Sequence, residues 1–232
     1  LYKREPKMKV YPVTVVNLLG KYGDFETDSN SDGLADGWTK VGPISTSIVN
    51  FKQRGSVTGT IDTSVIVYEI SIPQQTHRYF FAINFSGVSY HTSGEGMRIL
   101  QINFAGGTVQ GGIPFVMQSG EMYSEQRYYY TYTNNGTNNI LRVYPIIFPT
   151  NTYTSESYAI VDNVIVVNLT TMGVLPPPLK EYFNNVPSTW ADLATTSNIT
   201  AIDGKVQSGR AWLNELLPYV NGVATLGYSW GA

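Results

Sequence analysis

The chain has 232 residues, 42% hydrophobic and 14% charged, with 15 basic against 17 acidic side chains. That balance excludes a disordered polyelectrolyte and leaves no basic field to gather phosphates, so nucleic acid is not an expected partner. Cysteine is absent and histidine is limited to His77 and His91, which excludes a disulfide scaffold, a thiolate zinc site and a histidine-rich metal centre. No apolar run reaches the ~18–20 residues that a spanning helix requires, so membrane insertion is not expected.

Residues 1–10 (LYKREPKMKV) are polar and basic without a period, and read as an arm or linker. Residues 11–19 (YPVTVVNLL) have the β-branched content of a first strand, and 20–40 form a loop crowded with Gly, Asp, Ser and Asn. From 44 to 168 short β-runs alternate with turn signals. Residues 61–72 alternate, 79–85 (YFFAINF) and 97–104 (MRILQINF) fit half-buried strands, and 113–117 is shorter. Residues 127–133 (RYYYTYT) end at Asn134-Asn135-Gly136 and 140–148 follow, a pattern that reads as a hairpin. The strongest strand is 158–169 (YAIVDNVIVVNL). Runs spaced in this way predict an all-β antiparallel sandwich, a jelly roll, over residues 11–172.

Past Met172-Gly173 the character changes. Three prolines at 176–178 stop any strand, 179–184 suit a short helix, and Trp212, Leu213, Leu216 and Leu217 fall at helical spacing before Pro218. A small, partly helical C-terminal appendix over 173–232, suited to assembly or linkage, is the expectation.

The loop at 28–36 carries the most specific local chemistry. Asp28, Asn30 and Asp32 place side-chain oxygens at every second position, Gly33 permits the sharp bend, the Leu34 carbonyl follows, and Asp36 closes the series. Calcium takes six to eight oxygen ligands, and this is the first part of a calcium loop of the EF-hand type. Thr39 stands where an EF-hand has its bidentate Glu and no helix flanks the loop, so it is not an EF-hand. The plainer reading is a polar surface loop without metal.

Asn17-Leu18-Leu19-Gly20, then Gly23-Asp24-Phe25-Glu26, then Gly37-Trp38, together resemble the opening of jelly-roll carbohydrate-binding modules, with Tyr22 in place of the usual Asn. Those modules carry an Asp flanked by apolar residues in the last strand, as in Val161-Asp162-Asn163-Val164. The resemblance implies Glu26 and Asp162 as further calcium ligands, sharing the ion of the loop or holding a second one. A solvent-facing Asp162, or one in a turn hydrogen bond, are the competing readings. Val167-Asn168-Leu169-Thr170 and then Pro178-Leu179-Lys180-Glu181-Tyr182-Phe183 resemble a segment of bacteriophage tail and minor structural proteins. That implies a virion tail, fibre or baseplate component, a homo-oligomer assembled with other virion proteins and touching host surface glycans. The alternative is a carbohydrate-binding module of a secreted polysaccharide-degrading enzyme or cell-surface protein.

Sugar rings are read by aromatic faces and polar side chains. Tyr128, Tyr130 and Tyr132 alternate onto one face of a strand and are the ligand-binding candidates; Tyr90, His91, Tyr123, Tyr144 and Trp38 are further options, although Trp38 suits a place beneath the loop. Strand tyrosines also serve as core or cross-strand packing. No Gly-x-Ser-x-Gly, phosphate loop or recognisable triad appears, and the expectation is a protein that is not an enzyme.

Overall fold

The computed structural model describes residues 9–92, 94–108, 110–112, 114–171 and 223–230. They form an antiparallel β-sandwich. Numbered in chain order, one sheet has five strands, side by side as β10 (Met122–Thr133), β6 (Arg78–Val88), β12 (Asn151–Asn168), β4 (Lys52–Ile61) and β3 (Ser45–Val49). The other has six: β2 (Thr39–Val41), β5 (Ser64–Ser71), β11 (Ile140–Phe148), β7 (Met97–Ala105) and β8 (Gln110–Gly111), with β9 (Phe115–Met117) also on β7. No helix among the described residues is long and apolar enough to cross a membrane.

The alternation along the strands builds the core. Tyr79, Phe81, Ile83 and Phe85 of β6 face Ile99, Ile102 and Phe104 of β7 and Leu141, Val143 and Ile146 of β11, all of them buried. Rings bridge the two sheets: Tyr79 lies 5.5 Å from Phe104, and Tyr132 lies 5.6 Å from the same ring. Burying these large faces is the main stabilising term of the sandwich.

Three expectations change. Residues 127–133 and 140–148 are not a hairpin, because β10 pairs with β6 while β11 pairs with β5 and β7 in the opposite sheet. The connecting Asn-rich loop crosses between sheets. Asn134 is tied to the start of β6, donating its N–H to the His77 carbonyl and accepting the His77 N–H, and Asn138 donates to the Thr108 carbonyl near the end of β7. The alternating run 61–72 is split between the end of β4 and β5. The first strand, β1 (Lys9–Val16), joins neither sheet; it pairs along its whole length with β13 (Val223–Trp230), so the described part of the expected appendix is a strand. The helices expected at 179–184 and 209–220 lie outside the described residues.

The opening segment completes the sheet next to β12. The register of β12 against β6 shifts between Asp162 and Ile165, and Asn163 takes φ 51° there. Beyond this bulge Asn17 bridges to Val167, and Leu18 N–H donates to the Val166 carbonyl at 2.7 Å. The buried Asn17 side chain accepts the N–H groups of Val166 and Leu19 and donates to the Val164 carbonyl. Gly23 lies so close that a Cβ would sit 2.3 Å from the Val164 oxygen, so no other residue fits without movement.

Candidate functional site

The acidic loop is folded by its own amides. Asp28 accepts the N–H of Asp32 at 3.2 Å and that of Gly33 at 2.9 Å. Asn30 shares the Asp32 N–H, and Asp32 accepts the Leu34 N–H at 2.8 Å. Buried Gln53 holds the loop to the sandwich: its amide donates to the carbonyls of Gly33, Ser47 and Arg54, and its oxygen accepts the Ala35 N–H at 2.8 Å. No signal in the sequence singles out Gln53. Trp38 packs on Phe25 with ring centres 4.9 Å apart and donates to the Tyr22 carbonyl, the place expected for it beneath the loop.

The seven expected calcium ligands do not form one cluster. Asp28, Asn30 and Asp32 lie together, with all-oxygen acceptors suited to a hard cation. Asp36 is turned to Ser29, whose N–H and hydroxyl both donate to it at 2.9 Å and hold its carboxyl below the usual range. Glu26 is exposed. Asp162 accepts hydrogen bonds from the backbone and side chain of Asn163. Burial pushes its carboxyl up, the Asn163 N–H and the Lys52 ammonium pull it back, and the carboxylates that raise it further are Asp24 and Glu26, not those of the loop. The turn hydrogen bond, one of the competing readings for Asp162, is thus present. Among the described residues no three acidic or imidazole side chains are grouped closely enough to hold an ion, so a cation at the loop would draw on two carboxylates, an amide oxygen and backbone carbonyls.

The tyrosines of β10 are corrected. Tyr128 and Tyr130 are 2% and 1% exposed and lie inside the sandwich, and Tyr132 packs against the same core. The Tyr130 hydroxyl donates to the Leu100 carbonyl at 3.1 Å, and its ring stacks on Phe81. A sugar ring cannot reach the faces of Tyr128 and Tyr130, and the half-buried Tyr132 is stacked on Phe104. The three share one face of the strand as expected, but that face is the inner one.

A different set of side chains lines an open groove of about 460 Å³ across the outer face of the six-stranded sheet. β7 supplies Arg98, Gln101 and Asn103, because the positive φ of Leu100 (52°) resets the alternation and turns Gln101 outward. β11 supplies Arg142 and Tyr144, with Tyr144 opposite Gln101 and Arg142 opposite Asn103. β5 supplies Glu69 and, lower on the same face, Val65 and Val67. The long side chains hold one another: Arg142 Nε donates to Glu69 at 2.6 Å, Arg98 donates to Gln101 at 3.0 Å and pairs with Glu95, and Gln101 donates to Asn103. At ~3.3 Å per residue the row from Arg98 to Asn103 spans about 16 Å. Of these, only Tyr144 is among the binding options read from the sequence. Outward parity within β5 and β11 would have found Glu69 and Arg142 had the sheet order been known, but the reset at Leu100 hides from parity that Arg98 and Gln101 share a face.

No family model matches the chain, and no curated protein matches it. Similar solved structures include TmCBM61 in complex with β-1,4-galactotriose, at TM-score 0.42 and 11% identity over 66% of this chain and 98% of that one. The enzymatically active domain of tailspike protein 4 of bacteriophage CBA120 aligns at TM-score 0.45 and 12% identity over 66% of this chain, which spans only 22% of that one. A family 22 module of Clostridium thermocellum Xyn10B aligns at 0.39 and 12%, over 67% and 98% of the two chains. Scores below 0.5 carry nothing about function; the sandwich stands on its own strand pairing.

Proposed function

We propose that the chain is a non-catalytic module that binds a glycan in the groove across its six-stranded sheet. The observation that carries this reading is Tyr144 set among Gln101, Asn103, Arg142 and Glu69, side chains already held in place by their mutual hydrogen bonds. Such a row offers one ring face for stacking and several fixed donors and acceptors for hydroxyls, with little ordering left to do on binding. Hydrolysis by paired carboxylates is less well supported: Glu69 is the one carboxylate in the lining, and it is engaged by Arg142.

In this reading Asp28, Asn30 and Asp32 would hold a calcium ion, whose charge would tie the loop down. The likeness of residues 167–183 to phage tail proteins favours a virion component, in a homo-oligomer with other virion proteins. A module of a secreted polysaccharide-degrading enzyme would use the same groove, and imaging the assembly that contains the chain separates the two.

The binding test is a glycan array followed by calorimetry on the best ligand. Tyr144→Ala is expected to weaken binding about tenfold, close to 1.4 kcal/mol, with the melting temperature unchanged. If no glycan binds, or if Tyr144→Ala binds as tightly as the parent, the groove is not a glycan site.

A further inference from the structure

The groove on the six-stranded sheet is built in rungs. Glu69 of β5, Arg142 of β11 and Asn103 of β7 stand side by side in one, and Val65, Ile147 and Arg98 in another; Tyr144 and Gln101 lie between them. The two arginines differ in what is left of them for a ligand. Arg98 spends both terminal nitrogens inside the protein: Nη1 donates to Gln101 at 3.0 Å and Nη2 pairs with Glu95. Arg142 is held by its other edge. Its Nε donates to Glu69 at 2.6 Å, and among the described residues no carboxylate or amide takes Nη1 or Nη2. The Glu69 carboxylate, and after it the Tyr144 side chain, raise the basicity of this guanidinium, so ring and charge lie together.

We infer that the groove reads an acidic glycan, with a sugar ring stacked on Tyr144 and the carboxylate of that sugar gripped by the Nη1–Nη2 end of Arg142. This rests on the glycan reading of the groove and adds the class of sugar. The end of a guanidinium presents two parallel N–H groups at the spacing of two carboxylate oxygens, a match that a lysine ammonium does not make. Arg142 and Tyr144 are two residues apart on one face, about 6.6 Å. A carboxylate carried on the stacked ring, plus one charge-assisted hydrogen bond of about 2.8 Å, covers that distance. Glu69 does not repel such a ligand, because the same arginine neutralises it, and it is the one carboxylate in a lining that holds two arginines. Being held beforehand on Glu69, Arg142 has less side-chain freedom to lose on binding. The ion pair itself is exposed, and exposed pairs add little to stability, so the fold does not account for it.

The test is an array of matched oligosaccharides: chains containing glucuronate or galacturonate, the same chains as methyl esters, and neutral and sulfated counterparts. Calorimetry follows on the best matched set. The acid is expected to bind at least about tenfold more tightly than its methyl ester. Arg142→Lys keeps the charge and removes the fork, and should bring acid and ester within about twofold at an unchanged melting temperature. Tyr144→Ala should weaken acid and ester alike. Equal binding of acid and ester by the parent, weakened for both by Tyr144→Ala, overturns this inference and leaves the glycan reading standing. A sulfated counterpart that binds as well as the carboxylate shows plain charge attraction and overturns it too, as does an Arg142→Lys variant that keeps the preference. If no glycan of any kind binds, the groove reading and this inference fall together.

Discussion

Tyr79 and Tyr130 show how much one hydrogen bond decides. Both are buried among the same aromatic rings, at 0% and 1% exposure. Tyr130 donates to the Leu100 carbonyl, whereas the Tyr79 hydroxyl has no partner among the described residues, and burial pushes its ionisation up to about 12. A buried hydroxyl without a partner costs about 1 kcal/mol or more, and a paired one contributes about as much. Tyr79→Phe should therefore raise stability by about 1 kcal/mol and Tyr130→Phe lower it by a similar amount, read from urea unfolding. Equal shifts in the two variants would contradict the assignment. The alternation of Tyr128, Tyr130 and Tyr132 was plain from the sequence. Period two tells which residues share a face, and Arg127, Thr131 and Thr133 on the opposite side mark the row of Tyr128, Tyr130 and Tyr132 as the inner one, a signal that reading the row for sugar stacking passed over.

Among the elements, the β3–β4 hairpin holds an unusual turn. Its two connecting residues, Asn50 and Phe51, have φ of 52° and 62°, the conformation of the tight turn that favours Asn-Gly. Phe51 is 71% exposed, so its ring gains little from packing to offset a backbone conformation that costs an L-residue about 1–2 kcal/mol. Phe51→Gly is expected to raise stability by about 1 kcal/mol; a thermal melt at or below the parent's would show that the ring makes a contact worth more than the strain. Pairing also explains where the chain-order reading failed. Asn134-Asn135-Gly136 has the composition of a hairpin turn, but Asn134 and Asn138 spend their side chains on His77 and Thr108, anchoring the loop to both sheets. Local turn chemistry could not show this, because the partners lie on other strands.

For the whole molecule, the acidic loop is the place where a ligand would report on global stability. Gln53 locks it to β3 and β4, so an ion bound only when the loop is folded stabilises the entire sandwich by mass action, about 2.7 kcal/mol at a hundredfold excess over Kd. Chelator should then lower the melting temperature by about 5 °C or more, and Asp32→Ala should abolish the difference between chelator and calcium. Identical melts of metal-free and calcium-saturated protein would leave the loop as one folded by its amides alone. The two outer faces differ: the six-stranded sheet shows water an open groove in which valines and Tyr144 lie beside charged and amide side chains, and on the five-stranded sheet Phe80, Ala82, Ile165 and Val167 are buried.

By itself the sequence determined what depends on neighbours along the chain. Short alternating runs specified strands, and enough of them specified a sandwich. The spacing of Asp28, Asn30, Asp32 and Gly33 specified a bent loop with its oxygens turned together, and the hydrogen bonds to its own amides came from the structure. Only the tertiary structure decided what depends on sheet order. Glu69, Gln101 and Arg142 meet because β5, β11 and β7 lie side by side, and Phe80, Tyr129 and Ile165 meet because β10, β6 and β12 do. The physical reason is that strand alternation is set residue by residue, while the choice of neighbouring strand, and of the face turned inward, is made by the burial of the whole sheet.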